Sequence, residues 1–268
     1  MLDERLHPLD TRLRTLLRSG SLLRAVFNGL PSPAIVEMCA WAGFDFVVID
    51  NEHGSASLES TEHMLRAARA SGVPAAVRCL EQDIARTLDL GAGGLQIPMV
   101  NTPEHAARLV QRVKYPLATG KTGVSGGRGV AFSPRAAGYG FFGGPSHIEA
   151  SNEGVALIVM VETPEAVANA GAIAAVPGVD AVFVGPNDLA HSMGHENRFD
   201  APEVQQAIRA TLQAVAAAGK CPGVLALSRD DEQRYAAWGA RYFATVTTGL
   251  IMKALRDAAQ GGRDKIGG

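Results

Sequence analysis

Short runs rich in Val, Ile and Phe recur eight times along the chain, and helical patterns rich in Ala follow them. This alternation is typical of parallel strands joined by crossover helices. Runs as apolar as VALIVMVE indicate strands that are buried on both faces, as a parallel sheet requires. The predicted strands are residues 22–27, 44–50, 74–78, 94–99, 155–162, 181–185, 223–227 and 242–246.

Eight strand and helix pairs in a chain of 268 residues predict an α/β fold of the closed (β/α)8 type, a TIM barrel, as one domain over residues 1–268. The competing fold is an open doubly wound sheet, but no Gly-x-Gly-x-x-Gly follows the first strand. Two segments fall outside the repeat. Residues 5–18 space leucines like one face of a helix. Residues 116–154 form a Gly-rich insertion, which is typical of a lid, a binding loop or an oligomer contact, the alternative being a flexible insertion without such a role.

The charge balance limits the classes of partner. With 25 basic and 27 acidic residues, the chain has a formal charge of -2, so no net field favours nucleic acid or anionic lipid. Residues 1–20 mix acids with arginines and contain no continuous apolar stretch, so we expect no signal peptide or membrane anchor and a cytoplasmic protein. The three cysteines lie far apart in apolar surroundings, as unpaired core residues do in a reducing compartment: Cys39, Cys79 and Cys221.

Ionisable residues follow several of the predicted strands directly. In a TIM barrel, the side chains at the carboxyl ends of the strands form the active site. The stretch VVIDNEHGSAS places three such groups behind the second strand. The set converging on one face would be Asp50, Glu52, His53, Arg78, Glu162 and Asp188.

Glu162 and Asp188 close adjacent strands, so their carboxylates would lie close together. Asp188 could equally cap the turn that follows it. Glu162 ends an apolar run, and Thr163 already supplies a cap for the next helix, so this carboxylate needs a partner such as a cation. Two like charges are stable together when they share a metal or a proton, and oxygen ligands suit Mg2+ or Mn2+.

The sequence does not support Schiff-base, zinc, nucleophilic or phosphate-loop sites. None of the five lysines lies at the carboxyl end of a strand, so an enolate formed here would depend on a metal rather than on a Schiff base. His191 and His195 have an i, i+4 spacing, but no Glu or Cys completes a zinc pattern, which favours surface histidines. No Gly-x-Ser-x-Gly elbow follows a predicted strand, since the match GVSGG at residues 123–127 lies within the Gly-rich insertion. Cys79 points to the opposite side of its strand from Arg78. The glycines of TGKTGVSGGRG lack the phosphate-loop pattern GxxxxGK[ST].

Several sequence blocks together resemble the HpcH/HpaI family of metal-dependent pyruvate aldolases, from about residue 28 to the end of the chain. The blocks are FDFVVIDNEHG, the VR of AAVRCL, LDLGAGGLQIPMVNTPEHA, GRGVAFSPRAAGYG, VMVETPEAVAN and PGVDAVFVGPNDLAHSMG. The resemblance implies a barrel of the phosphoenolpyruvate/pyruvate type in which Glu162 and Asp188 bind Mg2+, Mn2+ or Co2+.

The same resemblance implies roles for the remaining polar residues. Arg78 would steady the keto oxygen of pyruvate as it becomes an enolate, and His53 would move a proton to or from the aldol hydroxyl. A carboxylate in the LDLGA block, Asp89, would partner His53, with Asp50 as a second candidate. The backbone around the start of the helix after the sixth strand would receive the substrate carboxylate, at Gly185, Pro186, Asn187 and Asp188.

Two departures from the family pattern concern this site. The segment between Arg78 and Asp89 is shorter than usual, which alters the loop above Arg78. Met160 also stands where many members carry Gln. Members of the family assemble as hexamers, trimers of dimers that exchange a C-terminal helix. The amphipathic residues 249–259 and the pair Phe141 and Phe142 are suitable interface material here.

The expected function is therefore that of a carbon-carbon lyase that reversibly cleaves a 4-hydroxy-2-oxo acid to pyruvate, or a close analogue, and an aldehyde. One alternative keeps the fold and the metal but acts on malyl-CoA or citramalyl-CoA. It would need a basic pocket for the CoA phosphates, and no cluster of Lys and Arg indicates one. A second alternative is a non-catalytic oligomeric barrel.

Overall fold

A computed structural model describes residues 7–260 and contains eight parallel strands that close into a barrel in the order in which they occur along the chain. The barrel closes where the first strand pairs with the last, with Ala25 opposite Ala244. The predicted (β/α)8 fold is thus confirmed, with strand ends shifted by a few residues. The strands are β1 (Leu23–Asn28), β2 (Phe46–Asp50), β3 (Ala75–Arg78), β4 (Gly94–Ile97), β5 (Ala156–Val161), β6 (Ala181–Val184), β7 (Cys221–Leu225) and β8 (Tyr242–Val246).

Helices surround the barrel, and their boundaries follow local signals in the sequence. Side chains of Ser57, Thr102, Thr163 and Ser228 accept a hydrogen bond from a backbone N–H in the first turn of the helix that follows each. The helices are α1 (Arg12–Arg18), α2 (Pro33–Trp41), α3 (Leu58–Ser71), α4 (Ile84–Asp89), α5 (Pro103–Val113), α6 (Pro145–Gly154), α7 (Pro164–Ala175), α8 (Pro186–Ser192), α9 (Pro202–Ala217), α10 (Arg229–Ala237) and α11 (Thr247–Gln260).

The strands bury both faces, because alternate side chains point into the barrel and out toward the helices. Inside the barrel, the rings of Phe46 and Phe183 lie 4.8 and 4.9 Å from the ring of Tyr242. The hydroxyl of Tyr242 donates to the side-chain oxygen of Gln96 at 3.0 Å. The barrel is therefore a packed core, and only its carboxyl end is open to substrate.

The N-terminal helix is shorter than expected, since α1 begins at Arg12 and not at residue 5. Of the predicted range, residues 5 and 6 lie outside the described part. Asp10 accepts a hydrogen bond from the backbone N–H of Arg12 at 3.1 Å, which forms a turn ahead of the helix. Leu13 and Leu17 of α1 are buried, and they cover the amino end of the barrel.

The predicted insertion at 116–154 is partly helical. Its last ten residues form α6, and Arg135–Gly140 form short helical turns interrupted by a kink, where Gly138 and Tyr139 have positive φ angles of 58° and 56°. Most of the segment before α6 is therefore irregular. Lys114, which is fully buried, anchors the base of this segment. Its ammonium group donates to the backbone carbonyls of Asn152 and Val155, each at 2.8 Å.

The three cysteines are buried and unpaired, as predicted. Among residues 7–260, no helix has the length and apolar character needed to cross a membrane.

Candidate active site

The carboxyl ends of the strands surround a cavity of about 310 Å³. Its walls include apolar side chains from β1, β5 and β6, namely Phe27, Met160 and Phe183. Most of the predicted site residues line it: Asp50, His53, Arg78, Glu162, Gly185, Pro186, Asn187 and Asp188. The exceptions are Glu52, which contacts the lining residues Arg78 and His53, and Asp89.

Asp50 and Arg78 end the neighbouring strands β2 and β3 and form a buried ion pair. Nε and Nη2 of Arg78 donate to the two carboxylate oxygens of Asp50 at 2.8 and 2.6 Å. Burial alone would raise the pKa of Asp50, but the hydrogen bonds and charge of Arg78 outweigh it and hold that pKa below its usual value. The guanidinium also lies 4.7 Å from the ring centroid of Phe27. Arg78 is thus fixed in place with its charge directed at the cavity.

Glu162 follows β5 and is 2 % exposed. Its Oε2 accepts the backbone N–H of Met99 at 2.7 Å, and Met99 adopts a positive φ of 57° to make this contact. The pKa of Glu162 is raised to about 7, mainly by burial and also by the charges of Asp188 and Glu52, which together outweigh the opposing effects of the Met99 N–H and the charge of Arg78. This carboxylate is destabilised in its charged form and favours an added cation.

Gly185 also favours a cation beside Glu162. A Cβ atom at this position would lie 2.5 Å from Oε1 of Glu162, so the absence of a side chain leaves this oxygen accessible. Gly185 directly precedes α8, whose first turn contains Asp188. The first N–H groups of a helix have no acceptor within it and are available to an anion.

Glu162 and Asp188 fit a divalent metal as a pair of oxygen ligands. Among residues 7–260, no group of three or more His, Cys, Asp or Glu side chains is placed to hold a metal. A site with two protein carboxylates suits Mg2+ and similar ions, which keep several positions for water and substrate. His191 is exposed and His195 is only half-buried, 3.9 Å from Glu203, as surface histidines would be.

Glu52 is a member of the site whose role the sequence did not assign. Its Oε2 lies 3.1 Å from Nη1 of Arg78 and 3.8 Å from Nε2 of His53. Burial raises the pKa of Glu52, and the charges of Asp50 and Asp188 add to this, while Arg78 and His53 lower it. The signal available in the sequence was the position of Glu52 directly after β2, at the carboxyl end of the barrel; its contact with Arg78 arises in the bend over residues 51–54.

Asp89 does not pair with His53 within this chain. It is the last residue of α4, and a crossover helix ends near the amino end of the next strand, which is the opposite end of the barrel from the cavity. Its carboxylate accepts a hydrogen bond from Nη2 of Arg128 at 2.6 Å. The second candidate, Asp50, is held by Arg78. Neither predicted partner of His53 is therefore in position to bind its ring in a single chain.

The two departures noted in the sequence both lie at the cavity or its edge. The short connection after Arg78 folds as a 3-10 helix over Glu81–Asp83, and Leu80 beside it is 41 % exposed. Met160 lines the cavity with an apolar side chain. The pocket near Glu162 is consequently less polar than a Gln at residue 160 would make it.

The chain matches the family described as HpcH/HpaI aldolase/citrate lyase over residues 24–254. A hydroxypyruvate/pyruvate aldolase of Delftia acidovorans is 39% identical over 91% of this chain and 87% of that protein. A 5-keto-4-deoxy-D-glucarate aldolase of Salmonella paratyphi C is 37% identical, with 87% and 88% covered. The crystal structure of an HpcH/HpaI aldolase/citrate lyase family protein from Burkholderia cenocepacia superposes with a TM-score of 0.87 at 33% identity, covering 95% of this chain and all of that one.

Proposed function

Because the chain belongs to the HpcH/HpaI aldolase/citrate lyase family, we propose that it is a class II aldolase that reversibly cleaves a 4-hydroxy-2-oxo acid to pyruvate, or a close analogue such as hydroxypyruvate, and an aldehyde. The observation that carries this proposal is the buried Glu162, which shares one cavity with Asp188 and Arg78. An enzyme that forms an enolate needs positive charge beside the keto oxygen, which Arg78 and a cation held by the two carboxylates would supply.

The metal site of the proposed enzyme consists of Glu162 and Asp188. A bound Mg2+, Mn2+ or Co2+ ion would supply the Lewis acidity that stabilises negative charge on the keto oxygen of the substrate. Arg78 contributes to the same end, because its guanidinium faces the cavity while Asp50 fixes its orientation. The substrate carboxylate binds at the start of α8, around Gly185, Pro186, Asn187 and Asp188. The donors there are the backbone N–H groups of Asn187 and Asp188, because Pro186 has no N–H and that of Gly185 donates to the carbonyl oxygen of Val161 at 3.2 Å.

His53 acts as the proton acceptor in cleavage. It removes the proton from the C4 hydroxyl of the substrate, the C3–C4 bond breaks, and C4 leaves as the carbonyl carbon of the aldehyde. The electron pair of that bond remains with C3 and the keto oxygen as an enolate. Return of the proton from His53 to C3, directly or through water, then gives pyruvate and restores the neutral imidazole, and condensation follows the same steps in reverse.

The size and charge of the cavity favour this reaction over a CoA-dependent lyase on the same fold. The cavity has a volume of about 310 Å³, and among the described residues that line it, Arg78 is the one Arg or Lys. A site for the phosphates of CoA would need several cationic side chains. A non-catalytic barrel would have no use for Asp50, Arg78 and Glu162 in their present buried arrangement.

Assembly forms part of the proposal. After its first residue, Thr247, α11 is largely exposed, and its apolar side chains at Leu250, Met252 and Leu255 are 45 %, 47 % and 57 % exposed. We propose a homo-oligomer, a hexamer built as a trimer of dimers with an exchanged C-terminal helix. Asp89 and His53 can therefore contact each other only across an interface, with the two residues supplied by different copies of the chain. Light scattering that finds a monomer at working concentrations would contradict this assembly.

Exchange of the methyl protons of pyruvate in deuterated buffer tests the chemistry without knowledge of the aldehyde. We expect exchange with added Mn2+ or Mg2+, its loss with EDTA, and its loss in Glu162→Gln. His53→Ala should also abolish retro-aldol turnover of a 4-hydroxy-2-oxo acid. If wild-type protein with added metal exchanged the methyl protons of pyruvate no faster than buffer without protein does, enolate formation would be refuted.

A further inference from the structure

Glu52 lies beside the active-site cavity, in contact with its lining residues Arg78 and His53, and the proposed reaction leaves it without a role. Its side chain is 15 % exposed. Its Oε2 is buried and has no hydrogen-bond partner among the described residues. A buried carboxylate oxygen without a donor is unfavourable, so it indicates a donor that arrives when the site is at work.

Two neighbours of Oε2 could supply that donor. Arg78 is 3.1 Å away through Nη1, but the contact lacks hydrogen-bond geometry, because Nε and Nη2 of Arg78 are directed at Asp50. His53 is 3.8 Å away through Nε2, and its side chain is 64 % exposed, so the ring has room to turn. The backbone N–H of His53 is held by Asp50 at 3.3 Å. A small rotation of the ring on this fixed backbone closes the gap to Glu52.

Two carboxylates that line the cavity, Asp50 and Glu162, are already engaged. Asp50 binds Arg78 through both oxygens, and its Oδ1 also accepts the backbone N–H of Glu52 at 3.1 Å. Glu162 accepts the N–H of Met99. Within residues 7–260, the ring of His53 makes an ion-pair contact with Glu52 and with no other carboxylate.

We propose that Glu52 is the positioning residue for His53, accepting a hydrogen bond from Nε2–H and leaving Nδ1 unprotonated to take the proton of the substrate hydroxyl. The inference rests on the proposed function, since it gives His53 the orientation that the cleavage step needs. A hydrogen bond at one imidazole nitrogen decides which nitrogen is protonated. Glu52 therefore performs within a single chain the role that the family resemblance assigns to Asp89 or Asp50.

The charges that face His53 are consistent with this arrangement. Asp50, Glu162 and Asp188 supply negative charge to the cavity in addition to Glu52, and Arg78 supplies the positive charge. The raised pKa of Glu52, caused first by its burial, describes a more basic oxygen and thus a stronger hydrogen-bond acceptor.

Variants of Glu52 separate positioning from simple structural support. In Glu52→Ala we expect kcat of the retro-aldol reaction to fall by about 10²-fold, within the range for impaired general-base catalysis. The KM for the oxo acid should change little, because Asp50 still holds Arg78 by two hydrogen bonds. Glu52→Gln retains an acceptor oxygen and should recover part of kcat. Glu59→Ala, which removes an exposed carboxylate from α3, is the matched control and should leave both constants unchanged.

Proton NMR of protein labelled with 15N-histidine provides a readout that requires no turnover. A hydrogen-bonded Nε2–H of His53 gives a slowly exchanging signal, assigned by its loss in His53→Gln. We expect this signal in wild type and Glu52→Gln and its loss in Glu52→Ala. An unchanged signal together with unchanged kcat in Glu52→Ala would overturn the inference. Failure of the proposed function would instead appear as wild-type protein without metal-dependent methyl exchange.

Discussion

Arg78 donates to both carboxylate oxygens of Asp50, from Nε at 2.8 Å and from Nη2 at 2.6 Å. The two residues end adjacent strands and lie opposite each other in register. Their pairing uses two of the three guanidinium nitrogens and leaves Nη1, which lies 3.1 Å from Glu52, for contacts within the cavity. The planar guanidinium can bind Asp50 through two nitrogens and still direct the third into the cavity, which the single nitrogen of an ammonium group cannot do.

The first prediction follows from that geometry. Arg78→Lys should lower kcat/KM for cleavage by about 10²-fold, because loss of one preorganised donor to a developing oxyanion costs about that much. Steady-state kinetics at saturating metal measure the effect. Arg24→Lys is the matched control, because Arg24 is 59 % exposed and pairs with Glu232 outside the cavity. Equal kcat/KM values in wild type and Arg78→Lys would remove Arg78 from transition-state stabilisation.

Gly185 gives a second prediction. In Gly185→Ala the new Cβ would lie 2.5 Å from Oε1 of Glu162 and displace the carboxylate. We expect affinity for Mn2+ to fall by at least about 10-fold, by analogy with disturbed metal sites, while far-UV circular dichroism stays native. Gly171→Ala is the control, since its Cβ would meet Ala214 at an ordinary 3.8 Å. Titration followed by electron paramagnetic resonance measures free Mn2+, and wild-type affinity in Gly185→Ala would contradict the assigned site.

The sequence predicted the barrel because its information is local and repeated. Alternating strand and helix patterns, with Ser and Thr caps at Ser57 and Thr163, specify the elements and their order. The residues at the carboxyl ends follow from that order alone. Long-range pairing was less accessible: Asp89 binds Arg128, which comes from the irregular insertion, and no periodic pattern indicates such a contact. The backbone of Met99 as a partner of Glu162 likewise depends on a positive φ that a Met residue does not signal.

Lys114 gives a third prediction, which concerns stability. Burial lowers the pKa of Lys114 to about 8, and the charge of Arg14 contributes to the shift. The folded state therefore binds fewer protons than the unfolded state between about pH 8 and the ordinary lysine value of 10.5, so stability rises with pH across that window. The contribution should reach about 3 kcal/mol.

Urea unfolding of wild type and Lys114→Met at pH 8 and pH 10 measures this difference. The stability of Lys114→Met relative to wild type should decline as pH rises, because only wild type gains from neutralising the buried ammonium. Lys121→Met, at an exposed residue of the insertion, should show no such trend. Parallel pH dependence in Lys114→Met and wild type would show that Lys114 does not carry the effect.

The fourth prediction concerns the conflict between stability and metal binding at Glu162. With a pKa of about 7, Glu162 of the metal-free protein is protonated below that pH and charged above it. Its folded pKa lies above its ordinary value of 4.5, so its contribution to stability falls as pH rises from 4.5 to 7 and stays low above that. The cost of the charged form at pH 8 is about 3 kcal/mol.

Glu162→Gln should consequently be more stable than wild type at pH 8 in EDTA, and the difference should disappear near pH 4.5. Because a metal binds the charged carboxylate, the affinity of wild type for Mn2+ should weaken by about 10-fold for each pH unit below 7. Denaturant unfolding in EDTA and Mn2+ titration at several pH values provide the two measurements. A Glu162→Gln variant that is less stable than wild type in EDTA at pH 8 would mean that its carboxylate already has a compensating cation within the protein. The case for an added metal would then fail.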